Sequence, residues 1–279
     1  MKLTRFNFPG GEVHIKIEGL EGYNDCGPVQ LTASLKNSDD IMALLLQTDA
    51  LRRSGIKDIH LVMPYIPYAR QDRVMVPGEP LSIKVFCDLI NSQKYSGVQV
   101  WDPHSDVATA LLDNCSVIPQ HVLLKDVAGE DLHDNTVLVC PDAGARKKIG
   151  LAAKELALTR VLYADKKRDV CTGKILETVI SSYPDQWDTL YDHLIVDDIA
   201  DGGATFLELA KVLKDKGVQG KISLYVTHGI FSKGLEQFTG LFDYIYMAHT
   251  WLSQEYIQQI NANSDLQVYV GWYCSPIES

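Results

Sequence analysis

The chain has six cysteines among its 279 residues, yet no two of them stand at C-x-x-C spacing. Cys26, Cys87, Cys115, Cys140, Cys171 and Cys274 are scattered and keep no ligand-like spacing to histidine, which argues against a zinc module or a redox dithiol. They read as reduced, mostly buried thiols. No apolar run reaches the roughly 18 residues of a membrane-spanning helix, and Met1-Lys2-Leu3-Thr4-Arg5 leads into a glycine-rich turn rather than a signal-peptide core. The expectation is a cytoplasmic protein with no membrane partner. Positive charge is also short: 26 Lys and Arg against 36 Asp and Glu leave a net charge of -10. That balance argues against nucleic acid as a bulk partner, since binding it needs a cationic footprint. Low-complexity tracts, long linkers and a nucleophile elbow are missing as well.

What the chain does have is a 46% apolar composition, enough for one large or two ordinary domains. Apolar, strand-like runs at 59–63, 98–101, 137–140, 160–163, 194–196, 222–227 and 244–247 alternate with helical patterns. Helices are predicted at 39–54, 81–89, 145–156 and 205–213, the first behind the capping signal Ser38-Asp39-Asp40. Such alternation predicts an α/β fold with mainly parallel sheets. Two stretches share the order strand, acidic loop, amphipathic helix, which suggests two related halves dividing near 120–125. The domains are placed at 1–121, rejoined by about 262–279, and at 122–261.

Candidate chemistry collects after the strand-like runs. The apolar run 194–196 is followed by Asp197 and Asp198 and then by Asp201, Gly202, Gly203, Ala204 and Thr205. Two glycines and a threonine ahead of a helix let backbone N–H groups close around an oxyanion, and the acids suit ribose hydroxyls or a metal. Pro64-Tyr65-Ile66-Pro67-Tyr68 leads into Ala69, Arg70, Gln71, Asp72 and Arg73, where guanidinium forks suit phosphate; a surface turn with a solvated Arg–Asp pair is the plain alternative. Asp102-Pro103-His104 puts an imidazole directly after a strand, where ligand sites gather, although a lone histidine is more often structural. Cys140-Pro141 opens the turn Asp142, Ala143, Gly144, Ala145, and the cations Arg146, Lys147 and Lys148 follow at a helix start. Cations there oppose the helix dipole, so a bound anion would explain them. Asp165-Lys166-Lys167-Arg168 concentrates three cations after another apolar run, as phosphoryl-type transfer requires, or forms a solvated face.

Taken as an ordered set, these motifs resemble the ribose-phosphate diphosphokinase, or phosphoribosyl pyrophosphate synthetase, family. Tyr68 to Arg73 matches the family's Y-A-R-Q-D-R, and Phe8-Pro9-Gly10-Gly11-Glu12 is similar to its F-x-D-G-E turn. Asp49-Ala50-Leu51-Arg52-Arg53, Asp102-Pro103-His104, Pro141-Asp142-Ala143-Gly144, Asp165-Lys166-Lys167-Arg168 and Thr227-His228-Gly229-Ile230-Phe231-Ser232 stand where the family has related segments. The resemblance implies two phosphoribosyltransferase-like, Rossmann-like domains, the first for ATP and the second for a sugar phosphate. It implies transfer of the β,γ-diphosphoryl group of Mg-ATP to the C1 hydroxyl of ribose 5-phosphate, giving AMP and phosphoribosyl pyrophosphate. Glu12, Arg70, Gln71, Asp72 and Arg73 would hold ATP. His104 and Asp142 would serve Mg2+, and Lys166, Arg168 and His104 would carry catalysis. Asp142, Ala143 and Gly144 would form the pyrophosphate loop. Asp197 and Asp198 would grip the ribose hydroxyls, while Asp201, Gly202, Gly203, Ala204 and Thr205 would cradle the 5-phosphate. The family also implies a homo-oligomer, a dimer or a hexamer.

One departure concerns the acceptor. The family's phosphate loop reads D-T-G-G-T, but here it is Asp201-Gly202-Gly203-Ala204-Thr205, with a hydroxyl lost and a methyl added. Such a cradle would suit ribose 5-phosphate less well, or would admit a 5-substituted ribose such as ADP-ribose, linking the chain to NAD metabolism. A phosphoribosyltransferase and a non-catalytic, synthetase-associated regulator are the remaining readings. The intact Y-A-R-Q-D-R stretch argues against the first, and retention of His104, Lys166 and Arg168 against the second.

Overall fold

A computed structural model describes residues 2–20, 27–168, 175–180 and 189–273, without the side chains of 166–168, 175–178 and 273. The chain divides into two compact units, Met1–Ile118 and Pro119–Tyr273.

The first unit opens with an antiparallel hairpin, β1 (Lys2–Asn7) and β2 (Val13–Glu18), turned by the glycines at 10 and 11. Its main sheet is four-stranded and parallel, in the order β3 (Val29–Thr32), β4 (Ile59–Met63), β5 (Gly97–Trp101), β6 (Cys115–Ile118). Helices α1 (Ser38–Arg53), α2 (Ser82–Ser92) and the short α3 (Asp106–Leu111) supply the crossovers. Leu44, Thr48 and Leu51 of α1 recur at helical spacing and are buried, so one stripe of the helix faces the core. The N-cap is Asn37, one residue ahead of the predicted signal. Its side chain accepts from the Asp40 amide while Asp40 answers the N-cap backbone, and that reciprocal pairing satisfies two exposed helix-end donors. Asp40 also accepts from Arg5 at 2.6 Å, which ties the hairpin to α1.

The second unit follows α4 (Gln120–Ala128). Its seven-stranded sheet has the order β13 (Gln267–Tyr273), β12 (Tyr244–Thr250), β11 (Ile222–Gly229), β10 (Asp192–Ala200), β7 (Thr136–Cys140), β8 (Arg160–Arg168), β9 (Ile175–Ile180). All neighbours pair in parallel except β8 and β9. β7 and β11 are buried along their whole length, which is why neither alternates: β7 runs apolar from Val137 to Cys140, and β11 carries Leu224, Tyr225 and Val226 in succession. Helices α5 (Arg146–Glu155), α6 (Ala204–Asp215) and α7 (Gln254–Asn263) complete it. Phe206, Leu209 and Leu213 of α6 share one buried cluster with Ile195, Leu224 and Val226 of the sheet.

Several elements differ from the sequence reading. Residues 262–273 belong to the second unit, because β13 extends its sheet from β12 by parallel pairing. Asp197 and Asp198 lie inside β10, not in a loop beyond it, and the segment from Asp165 to Arg168 continues β8 into its pairing with β9. The thiols of Cys87, Cys115 and Cys140 are free, the first and last of them buried; Cys26, Cys171 and Cys274 lie outside the described residues. Among the described residues no helix is long and apolar enough to cross a membrane.

Candidate functional site

In the first unit the candidate residues gather at the C-terminal ends of β4 and β5. The backbone leaves β4 through a tight turn in which Tyr68 takes a left-handed conformation (φ 63°) and the Gln71 amide donates to the Tyr68 carbonyl at 2.8 Å. This aims Arg70, Gln71 and Arg73 into one cleft of about 450 Å³, which Met75 and Glu79 also line. The Glu79 carboxylate accepts from the amides of Met75 (3.0 Å) and Val76 (3.3 Å) and so fixes the far wall. Asp72 is not among the cleft's lining residues. Burial pushes its carboxyl up, but the Ser105 hydroxyl, Arg73 (Nε to Oδ1, 3.2 Å) and His104 outweigh burial and hold it below its ordinary value. The loops after β4 and β5 therefore bring Asp72, Arg73 and His104 together. Asp102 starts the second loop, buried and left-handed (φ 37°), with its amide donating to the Ile118 carbonyl at 2.9 Å. Glu12 sits in the exposed β1–β2 turn, where its carbonyl accepts from Phe8, and it does not line this cleft.

The second unit carries a topological switch. From β7 the chain first builds outward through β8 and β9, then returns to place β10 on the other side of β7. Loops leaving β7 and β10 diverge there, and such crevices at the carboxyl ends of parallel strands are where ligands bind in open α/β sheets. The predicted residues stand at this place. Asp142, just after β7, accepts from the amides of Gly144 (3.0 Å) and Ala145 (3.3 Å), so its carboxylate organises the turn before α5. Cys140 at the end of β7 is buried, and its thiol is pushed up to about 12, which makes it inert as a nucleophile.

On β10, burial raises the carboxyl of Asp197 well above its ordinary value, and repulsion from Asp198 and Asp142 adds to this. The Asp198 amide works the other way, donating to Asp197 Oδ1 at 2.9 Å. Lys148 of α5 reaches Asp198 Oδ2 at 3.3 Å. Arg146 donates to Asp165 at 2.6 Å and lies over the Tyr163 ring at 5.5 Å. Two of the cations at the start of α5, Arg146 and Lys148, expected to await an anion, therefore have carboxylate partners on neighbouring strands. The side chains of Lys166 and Arg168 lie outside the described ones.

The turn into α6 leaves its helix end without a side-chain cap. Gly203 is the N-cap, left-handed at φ 78°. The Phe206 amide donates to the Gly203 carbonyl at 3.0 Å, and the amides ahead of it, at 204 and 205, are the helix-end donors with no intrahelical acceptor. Gly203 is demanded twice over, since an added Cβ would lie 2.5 Å from the Phe238 ring. Sequence reasoning missed two participants from the loop after β11. Ser232 Oγ donates to Asp201 Oδ1 at 2.6 Å, and the stem of Lys233 lies beside Gly202. Ser232 falls in the T-H-G-I-F-S segment, which gave a signal; a lone lysine four residues beyond a strand gave none.

Among the described residues no three His, Cys, Asp or Glu side chains form a ready metal cage. Mg2+ does not need one, because it keeps several waters and takes one or two carboxylates together with substrate phosphates. The carboxylate of Asp142 has the oxygen donors that such an ion takes. Imidazole is a softer donor, so the exposed His104 fits a hydrogen bond to a phosphate oxygen better than a place on Mg2+.

Residues 1–93 match the family described as the N-terminal domain of ribose phosphate pyrophosphokinase. Ribose-phosphate pyrophosphokinase of Rhizobium meliloti is 33% identical over 241 residues, covering 84% of this chain and 73% of the relative. That of Helicobacter hepaticus is 30% identical over 233 residues, covering 83% and 72%. The crystal structure of phosphoribosylpyrophosphate synthetase from Mycobacterium smegmatis superposes with a TM-score of 0.72 at 18% identity, over 96% of this chain and 85% of that one, and shares the fold.

Proposed function

Since the chain belongs to the ribose-phosphate pyrophosphokinase family, we propose that it transfers the β,γ-diphosphoryl group of Mg-ATP to the C1 hydroxyl of ribose 5-phosphate. The C1 oxygen attacks the β-phosphorus, the bond from that phosphorus to the oxygen of the α-phosphate breaks, and AMP leaves; the hydroxyl proton is released. The observation that carries this reading is the acid pair on β10 followed by an uncapped glycine turn, set beside the Asp142 turn at the switch point of the second sheet.

Each unit has its part. In the first, Arg70, Gln71 and Arg73 would hold the nucleotide in their cleft, with Asp72 keeping Arg73 in place and His104 donating to a phosphate oxygen. Glu12, away from that cleft, would serve the nucleotide of a neighbouring copy in a homo-oligomer. In the second, Asp197 and Asp198 would receive the ribose hydroxyls, the residues from Asp201 to Thr205 would hold the 5-phosphate, and Asp142, Ala143 and Gly144 would hold the pyrophosphate with its Mg2+. Lys166 and Arg168 would meet the charge on the moving group. Such transfer needs positioning and positive charge rather than a covalent intermediate.

A second acceptor is favoured by Gly202, where neither backbone nor crowding calls for glycine. A ribose with a larger 5-substituent, such as ADP-ribose, would use that space. Protein incubated with Mg-ATP and either sugar is expected to release AMP in proportion to sugar consumed. Absence of AMP with both would refute the reading, and consumption of phosphoribosyl pyrophosphate with a base, releasing pyrophosphate, would favour a phosphoribosyltransferase instead.

A further inference from the structure

The two glycines of the turn after β10 are not equivalent. Gly203 is left-handed, and a Cβ there would strike Phe238. Gly202 has no such conformation, and a Cβ added to it would stand 3.7 Å from Cε, 3.9 Å from Cδ and 4.0 Å from Nζ of Lys233, all ordinary contacts. Glycine at 202 is thus required by neither backbone nor packing. The space a side chain at 202 would face is flanked by the methylenes and ammonium of Lys233.

Lys233 is held there by the fold. The loop after β11 is fastened to the last residue of β10, because the amides of Ile230 (2.8 Å) and Phe231 (3.1 Å) both donate to the Ala200 carbonyl. Phe231 is buried and left-handed (φ 45°), with its ring 5.3 Å from that of Phe238. The Gly234 amide closes back on the Phe231 carbonyl at 2.9 Å, and Ser232 Oγ holds Asp201 at 2.6 Å. Lys233 lies between these fixed points.

We propose that Lys233 is a binding residue for the phosphate group of the sugar, its ammonium doing at this turn what a hydroxyl on residue 202 would otherwise do. The proposal rests on the sugar-phosphate reading of the turn. Electrostatics support it: Asp201 stands in the turn itself, and an incoming phosphate dianion meets less repulsion from it where a cation stands on the near side. A lysine is a mobile point charge on a flexible stem, so it follows a phosphate that carries a further substituent where a short hydroxyl could not.

The test is binding of ribose 5-phosphate and of ADP-ribose, by calorimetry, to the wild type, Lys233→Met and the double variant Lys233→Met/Gly202→Thr. Methionine keeps most of the stem and removes the charge. Loss of one charge-assisted hydrogen bond is expected to weaken sugar-phosphate binding about 10- to 100-fold, with ATP binding unchanged and binding less sensitive to salt. The added threonine hydroxyl is expected to restore part of the loss. Equal affinity in the wild type and Lys233→Met, or an equal loss for ATP, would overturn the role of Lys233 while leaving the enzyme reading standing if AMP is still released. A wild type that binds neither sugar would overturn both.

Discussion

Gly203→Ala tests whether the turn into α6 is built as described. The substitution adds one methyl group where φ is 78° and where Cβ would lie 2.5 Å from Phe238 Cζ, 3.1 Å from its Cε2 and 3.3 Å from Gln237 Nε2. Left-handed backbone costs a non-glycine residue about 1–2 kcal/mol. The collision adds to this, because Phe238 cannot swing away. It is fully buried, with ring centroids 5.3 Å from Phe231 and 5.5 Å from Phe242. Overpacking of a filled core costs roughly 1–3 kcal/mol, so the sum is about 2–5 kcal/mol. For a domain of this size that is a fall in Tm of roughly 4–20 °C, at about 2–4 °C per kcal/mol. Gly202→Ala is the internal control, since its Cβ meets only ordinary contacts and its Tm should move by less than about 2 °C. Calorimetric or fluorescence-detected unfolding of the two variants beside the wild type reads the difference. Equal shifts for both, or none at Gly203→Ala, would refute the account of the turn.

Three further outcomes follow from the same geometry. Asp197 titrates above its ordinary 3.8 when folded, so between that pH and its raised value the folded state keeps a proton the unfolded state has lost. Stability therefore falls as pH rises through this window. Asp197→Asn should raise Tm at pH 7–8 by a few degrees, lose that gain near pH 3 and abolish sugar binding; a lower Tm at pH 8 would contradict the burial argument. Asp40→Ala removes the acceptor for Arg5 (2.6 Å) and for the amides of Lys36 (2.8 Å) and Asn37 (3.2 Å), and should cost about 2–3 kcal/mol with an unchanged urea m-value. Urea titration checks this, and a midpoint equal to wild type would remove the capping box from the account. Lys166→Ala and Arg168→Ala should each lower kcat for AMP release roughly 100- to 1000-fold, as loss of one oxyanion donor does, while Tm stays near wild type. Undiminished turnover in both would place the charge stabilisation elsewhere.

The alternation of strands and helices was legible because buried parallel strands are short continuous apolar runs, as at Ile59–Met63 and Thr136–Cys140. Edge strands were not. β6 shows only partial burial along Cys115–Ile118, so its sequence needs no apolar signature, and β9 pairs on one side alone. The acids at 197 and 198 read as a loop because charge usually ends a strand. Here β10 carries them onward because its parallel pairing with β11 continues through Ala200, beyond Ile195 where its pairing with β7 ends. The cap at Asn37 was misread by one residue because Ser38 and Asp39 are good caps too, and only the Asp40 side chain decides between them. The glycine turn itself was legible, but its neighbour Lys233 was not, since that contact joins residues 31 apart through a loop with no pattern of its own.

The backbone shows where this fold spends its stability. Among the described residues, six other than glycine take positive φ: Tyr68, Lys94, Asn114, Ala157, Asp102 and Phe231. Lys94 and Ala157 follow the C-caps of α2 and α5, where a left-handed residue ends a helix in the ordinary way, and Asn114 stands just before β6 with its carbonyl accepting from the Val98 amide at 3.0 Å. The other three follow β4, β5 and β11, and each lies in a loop that carries candidate residues: Arg70 to Arg73, His104, and Ser232 with Lys233. Strain of about 1–3 kcal/mol at each persists only if the surroundings over-determine it. They do: Tyr68 is bridged to the Gln71 amide, Asp102 is fastened to the Ile118 carbonyl, and Phe231 is pinned to Ala200 and buried against Phe238. The loops at the carboxyl ends of the strands are therefore already shaped, so the energy of binding a nucleotide or a sugar phosphate goes into recognition rather than into ordering the backbone.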